Sequence, residues 1–459
     1  MTRTPTGAVH EVPVDDLFFS TTDAKGVITE ANEVFTRNAR FSREQLLGSP
    51  HNIIRHPDMP GAVFLAMWTM LAAGEPVCAY VKNLAADGST YRAFATVVPI
   101  GDRFLSVRSR PCNTEARDLV EALYADVRAF ELAARADGVS SHEAATLGAE
   151  QLANALRANG FVSYADFQLD LVPAEVAARE ELCSSLPDLA DRDDVAGPLR
   201  TMLTCATDLR DQLGAFAGDL EESLEVGADL GRDVRRLTSA LTAVASTMRR
   251  ADAVERGERR TDEHIVMSAL TRQVRDAVEQ ARIVTDELAP VLRHRAQLRL
   301  ASAVARLQAE AVGRYVVAVA DGREDPRASE RALVSVAEAL LSLLDADLAR
   351  DAEATGRYAA RVEDLALSVR GVLELVGSWS DLLGAGVEQG DDVLRDAFRE
   401  LRVALDGLAR QTDRVRGGIH RFTTTAALDR DRLAGTLGEV TRLAAGVQDP
   451  AAAGVVASG

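Results

Sequence analysis

Long apolar runs are missing from this 459-residue sequence. No stretch of about 18 uncharged apolar residues occurs, and the opening MTRTPTGAVHEV has no apolar signal core, so neither membrane insertion nor export is expected. Cysteine is sparse. Cys78, Cys112, Cys183 and Cys205 are scattered with no C-x-x-C pair, which excludes a disulfide framework and a cysteine zinc cluster and fits a reducing cytoplasm. Lysine occurs twice, at Lys25 and Lys82, against fifty arginines, a bias of base composition rather than chemistry. Proline almost vanishes after residue 112, where only Pro173, Pro187, Pro198, Pro290, Pro326 and Pro450 remain. Catalytic signatures are absent too. There is no G-x-S-x-G elbow, Walker loop or H-E-x-x-H pair, and His264 lacks the surroundings of a kinase phosphoacceptor, so no enzyme is expected.

What is present divides the chain. Residues 1–112 hold eleven Lys or Arg and eleven Asp or Glu, so the whole net charge of −18 belongs to residues 113–459. An acidic surface repels phosphate backbones and anionic lipid, which argues against nucleic-acid or membrane-surface binding. Hydrophobic residues at 47% and charged ones at 27% are the balance of a folded chain, and the length suggests two or three cooperative units.

From Asp16 to Arg110, short strands and short helices are punctuated by turns, an α+β pattern. LFFSTTD and VITEAN read as two strands joined by a tight turn at Asp23–Gly26. NEVFTRNA and SREQLLG read as short helices, the second with Ser42 as N-cap, Leu46 and Leu47 inward and Gly48 closing the turn. Between Gly61 and Ala73, Val63, Phe64, Met67, Trp68 and Leu71 recur on one helical face, which must pack against something. VCAYVKNL, the turn ADGS, YRAFATVVPI and RFLSVRSR read as a three-strand antiparallel meander. Ala93 and Ala95 share a face with Tyr91 and, with Ala79 opposite, either leave open volume or let a helix approach the sheet. Two strands, helices and three strands give the order of a PAS fold with a five-stranded antiparallel sheet.

Residues 49–100 contain PHNIIRHPDMP, then FLAMW, GEP, VKN and a hairpin DGSTY. This ordered set closely resembles the PAS domain of bacterial aerotaxis receptors, and the resemblance covers residues 15–110, about a quarter of the chain. It implies a bound flavin, usually FAD, whose redox state reports oxygen or respiratory status. It also implies that Arg55, His56, Asp58 and Asn83 support flavin binding. On its own terms the chemistry is reasonable: a flavin presents a flat ring, a hydrogen-bonding edge and an anionic pyrophosphate, so its site needs a slot, amide partners and a cation. Asn83 suits the ring edge, Arg55 the phosphate and Trp68 a wall of the slot; Asn32, Asn52 and Tyr91 complete the candidate set. His51 and His56 are also haem-ligand candidates, while His56 and Asp58, in a tight His-Pro-Asp loop, are equally suited to holding backbone amides. The sequence departs from the family at Val77, usually tryptophan, and at Arg92, usually aromatic. Two ring-packing candidates are therefore missing.

From Asn113 onward Ala, Leu, Arg, Glu and Asp dominate, and residues 199–289 and 327–449 contain no proline, which permits long helices. Leu230, Val234, Leu237, Leu241, Val244 and Met248 step by four and three, the seam of a coiled coil or antiparallel bundle. Gly214 with Gly218 and Gly227 with Gly231 either allow helices to approach closely or are merely tolerated. Breaks at 136–141, 186–198, 256–262 and 321–328 divide the region into hairpins, with a fold-back at 256–262. A chemoreceptor hairpin tip finds only a scattered echo in QAEAVGRYVVAVADGRE, residues 308–324. The expected organisation is a tail (1–14), a PAS sensor (15–112), a helical linker (113–197), a long helical bundle or coiled coil (198–447) and a disordered tail (448–459). The expected function is a cytoplasmic redox or oxygen sensor that uses FAD, resembles aerotaxis receptors, is homodimeric and signals to protein partners through its helices. The alternatives are a cofactor-free interaction scaffold and a haem-based gas sensor.

Overall fold

A computed structural model describes residues 3–187, 197–255, 261–324, 326–387 and 392–424, with a few positions between 189 and 195 and between 432 and 443. The expected disordered tail, 448–459, and the fold-back at 256–260 lie outside the described residues.

The five strands form one antiparallel sheet. β1 (Leu17–Asp23), β2 (Ile28–Ala31), β3 (Val77–Leu84), β4 (Thr90–Ile100) and β5 (Arg103–Ser109) are ordered β2-β1-β5-β4-β3. The first turn is fixed by Asp23, whose Oδ1 accepts from the Lys25 and Val27 amides, each at 2.9 Å, while Gly26 takes φ of 77°. Asn32 caps helix α1 (Glu33–Ala39) by accepting from the Phe35 amide at 3.1 Å. Helix α2 (Arg43–Leu46) opens with a reciprocal capping box between Ser42 and Gln45. Leu46 is buried there, but Leu47 is not turned inward as expected. It is extended beyond the helix end and 36% exposed. A 3-10 turn (His51–Ile54) leads to α3 (Gly61–Ala72), which stops before Gly74 at φ of 80°.

Register sorts the sheet into two faces. Val77 opposes Val97, Ala79 opposes Ala95, Val81 opposes Ala93 and Asn83 opposes Tyr91, so these eight share one face, and Cys78, Tyr80, Phe94 and Thr96 lie on the other. The second face is covered by helices that follow the sheet. These are α4 (Thr114–Ala136) and α6 (Tyr164–Leu182), while α5 (Ser141–Ala158), between them in the chain, packs on α3 and α4. Because β3 is an edge strand, its free backbone groups need partners, and α6 supplies them. Gln168 Oε1 accepts from the Cys78 amide, and the Tyr164 hydroxyl donates to the Cys78 carbonyl at 2.8 Å. Farther along α6, Glu175 accepts from the Tyr80 hydroxyl and from the Cys112 and Asn113 amides. Burial pushes its carboxyl above the ordinary range despite those donors.

Among the described residues four long helices follow: α7 (Gly197–Glu255), α8 (Thr261–Ala320), α9 (Pro326–Val387) and α10 (Asp392–Thr424). Contacts divide the protein into two compact units. The first includes Met1–Ala217 and Arg299–Ala346, and therefore the sheet, α4–α6 and the last turns of α8. Those last turns are buried on nearly every side, which accounts for the run of Ala and Val at 308–320. Tyr315 meets Phe19 of β1 edge-on at 5.2 Å, and Glu310 forms a buried ion pair with Arg179 at 2.9 Å. Burial alone raises the Glu310 carboxyl, but Arg179 and Arg314 outweigh it and hold the group below its usual range. Residues 3–14 also lie on this unit. Val12 is buried with Phe18 and Tyr91, and Val9 bridges to Thr90.

The second unit, Gly218–Leu298 with Asp347–Ala427, is a helical bundle. All six seam positions, Leu230 to Met248, are at most 1% exposed and share a core with Val274 and Ala281 of α8, Val362 and Leu365 of α9, and Leu401 and Leu408 of α10. The glycines behave differently from one another. A Cβ at Gly227 would lie 2.3 Å from Leu292 and 2.8 Å from Phe422, and one at Gly231 would lie 2.8 Å from Leu288, whereas Gly218 faces open space. We therefore expect Gly227→Ala to lower stability by about 1–3 kcal/mol through overpacking. Gly218→Ala should raise it by about 0.5–1 kcal/mol, since only helix propensity and unfolded-chain entropy change there. Urea unfolding of both variants checks this, and equal effects at the two positions would contradict the packing.

Candidate functional site

The apolar face of α3 meets the sheet only in part. Between them lies a cavity of about 330 Å³, inside the range of about 300–1,000 Å³ common for small-molecule sites. Phe64, Met67, Trp68 and Leu71 of α3 form one wall, and Val81, Ala95, Val97 and Phe104 form the other. Lys25, Gly26, Asn52 and Arg55 contribute from the adjoining turns. Trp68 packs edge-on against Phe104 at 5.6 Å and crosses Gly26 so closely that a Cβ there would lie 3.1 Å from the indole. Gly26 thus serves both its positive φ and the indole's position. The two alanines of the hairpin divide between the earlier alternatives. Ala95 lines the cavity, while Ala93 and Tyr91 belong to the neighbouring core with Phe18 and Phe35.

Three polar side chains on the sheet wall decide the site's character. Asn83 is 5% exposed, and among the described residues neither its Nδ2 nor Ser106 Oγ has a hydrogen-bond partner. Arg108 is 4% exposed, yet among the described residues it pairs with no carboxylate. Its guanidinium donates to Ser20 Oγ at 3.1 Å and to His51 Nε2 at 2.6 Å, and lies 5.4 Å from the Phe35 ring centre. Burial draws its pKa down to about 10, which leaves it charged at neutral pH. No Asp or Glu is among the described residues lining the cavity. Arg55 closes the set from the turn before α3. It donates to the Met59 carbonyl at 2.9 Å, lies 4.2 Å over the Phe64 ring and bridges through its backbone to Asn83.

Of the residues proposed from sequence, Asn52, Arg55, Trp68 and Asn83 line the cavity together. Asn32, His56, Asp58 and Tyr91 stand elsewhere. Asn32 is occupied with the α1 cap and with β1, donating to the Leu17 carbonyl at 3.2 Å. His56 is buried, with Nδ1 accepting from the Asp58 amide at 3.2 Å and Nε2 bonded to Thr90 Oγ1 at 3.2 Å. The Asp58 side chain is largely exposed and borders a separate cleft between β3 and α4. Tyr91 stacks on His10 at 5.2 Å. Ser106 and Arg108 were not singled out from sequence. Their signal was the alternation in RFLSVRSR, which puts a serine and an arginine on the same side as Phe104. Neither departure, Val77 or Arg92, is among the residues lining the cavity, although Val77 lies on the cavity face of the sheet. Val77 is buried beside Val97, and Arg92 lies on the other face, bonded to Glu121 of α4 at 2.7 Å.

His10, His51 and His56 are all held below the ordinary histidine value of 6.5, in each case chiefly by burial, with Arg108 adding to the effect at His51. The unfolded chain therefore binds more protons than the folded one below pH 6.5, so stability is intact above that pH and falls on acidification. His51 alone gives a slope of up to about 1.4 kcal/mol per pH unit. Urea unfolding at pH 7.5 and 5.5 should show this loss, and His51→Gln should flatten the dependence; an equal dependence in the variant would contradict it.

The family profile described as "PAS fold" matches residues 16–106. Residues 16–106 form a PAS domain. Among curated proteins, this PAS segment is similar to the aerotaxis receptor of Escherichia coli strain K12, 39% identical over 115 residues, which is 24% of this chain and 22% of that one. It is also similar to a nitrogen fixation regulatory protein of Klebsiella pneumoniae, 31% identical over 81 residues, 18% of this chain and 16% of that one. The chain thus spans less than a quarter of either relative. A LOV protein of Rhodobacter sphaeroides is similar among solved structures, at 18% identity and a TM-score of 0.21, over 32% of this chain and 91% of that one. Outside the PAS domain the described residues are mostly helical, and no described helix is long and apolar enough to cross a membrane.

Proposed function

We propose that this protein is a redox or oxygen sensor whose PAS cavity seats a flavin, FAD in its complete form, and whose helices carry the response to protein partners. The observation that carries the reading is the donor wall. Asn83 Nδ2, Ser106 Oγ and the Arg108 guanidinium face one apolar slot that has no carboxylate among its described residues. A flavin ring is flat and apolar on its faces and presents hydrogen-bond acceptors along one edge, so it suits both walls. When bound, the flavin supplies reversible electron transfer. The chain's own residues do the rest. Phe64 and Trp68 flank the ring, Asn83 and Ser106 orient its edge, and Arg108 favours an occupant that gains negative charge. Neutral His51, accepting from Arg108, fixes the direction of that charge.

A path to the helices starts at α3. Its first two amides, Gly61 and Ala62, donate to the Glu131 carboxylate of α4, each at 2.8 Å, so a shift of α3 against the cavity acts directly on α4. In this reading residues 15–112 sense, 113–197 connect and 198–447 deliver the output, in a cytoplasmic homodimer. The names of the two curated relatives, a receptor and a regulatory protein, support signalling rather than catalysis. The haem alternative is weakened because both His56 nitrogens and His51 Nε2 already have partners. The scaffold alternative is weakened because a cofactor-free slot gives no reason for Asn83 Nδ2 and Ser106 Oγ to be aimed into an apolar cavity. An absorption spectrum of the purified protein, before and after incubation with FAD, tests the reading. A flavin spectrum that bleaches reversibly on reduction is expected; a haem spectrum, or a featureless trace after incubation, would overturn it.

A further inference from the structure

Arg55, Phe64 and Trp68 border two spaces at once. Beside the ring cavity they also bound a cleft of about 490 Å³ between α3, α4 and α5, whose further walls include Arg128, Glu131, Arg135 and His142. Three guanidiniums thus face a single carboxylate. That carboxylate is already committed, because Glu131 is 2% exposed and accepts from the Gly61 and Ala62 amides and from Arg128 at 3.0 Å. Among the described residues Arg55 donates to the Met59 carbonyl and lies over the Phe64 ring, with Glu131 acting on it through charge without a hydrogen bond, and Arg135 donates to the Ser141 hydroxyl. In a protein of net charge −18, this excess of cations over carboxylates next to a ligand-sized cavity calls for an anion.

We propose that the cleft is the phosphate subsite of the same ligand: the ring lies in the cavity, and the phosphate-bearing tail passes Arg55 and Trp68 to rest on Arg55 and Arg135. The proposal depends on the flavin reading and adds to it that α4 and α5, helices beyond the PAS domain, are part of the binding site. A ligand spanning both spaces ties the sensor to its helices by direct contact as well as through Glu131.

The test uses the full chain, with affinities for riboflavin, FMN and FAD measured at low and high salt, in the natural protein and in Arg135→Glu. FMN and FAD should bind at least about tenfold more tightly than riboflavin at low salt, an advantage that shrinks as salt screens it. Arg135→Glu should remove that advantage and leave riboflavin binding within about twofold, since the ring cavity is untouched. Riboflavin and FAD binding equally well, with no effect of Arg135→Glu, would overturn the subsite while the flavin reading stands. Failure of all three to bind would overturn both.

Discussion

Replacing Arg108 with methionine is expected to weaken flavin binding by about a hundredfold while leaving the free protein's stability within about 1 kcal/mol of its original value. The two effects separate because Arg108 is a buried cation with no anionic partner among the described residues. Its desolvation is a cost that the apo-protein carries, and methionine removes that cost while filling much of the same space beside Phe18 and Phe35. Against this gain stand the lost bonds to Ser20 and His51, of comparable size. Binding has no such compensation, since the acceptor edge of the ligand loses its charged donor. Flavin titration and urea unfolding of the same preparation give both numbers. A variant that binds normally would remove Arg108 from the site, and one that unfolds would make it a structural residue.

Glu131→Ala should be strongly destabilising, at about 3–5 kcal/mol. The carboxylate closes the otherwise uncapped start of α3, where Pro60 offers no side-chain acceptor, and it balances Arg128 at the same time. Gly148→Ala attacks the same contact without removing the charge, because a Cβ there would lie 2.8 Å from Glu131 Oε1 and 3.3 Å from Ala62 Cβ. It should cost about 1–3 kcal/mol. Hydrogen exchange localises both effects: amides of α3 should lose protection in each variant, while those between Leu230 and Met248 should not. Unchanged exchange in α3 would mean that α4 does not hold it.

The sheet was readable from sequence because each strand is bounded by residues with a fixed backbone role, such as Asp23 and Gly26 in the first turn or Asp87 and Gly88 in the hairpin. The bundle seam was readable for a similar reason, since Leu230 to Met248 keep one spacing over five turns of helix. Partnership was not readable. Periodicity shows that a face is buried without naming what buries it, so nothing in the sequence joined Phe19 to Tyr315, Arg179 to Glu310 or Gly61 to Glu131. The scattered echo at 308–324 gave no sign that most of its residues would be buried.

The site shows the same division. Asn83 and Trp68 belong to a recognisable run and do line the cavity, but the run also contains His56, whose ring is bonded to Thr90 and to the Asp58 amide. A motif marks a stretch that matters without separating residues that shape the loop from those that face the slot. Arg108 lay outside the run, and only its place in an otherwise buried strand gave it away.

A crystal structure of the full chain reconstituted with riboflavin tests the account most directly. Ring density between Trp68 and the β3–β5 face is expected, with the acceptor edge within hydrogen-bond distance of Asn83 Nδ2 and Ser106 Oγ. A flavin seated elsewhere, or a slot holding only water in protein that has bound the dye, would contradict it.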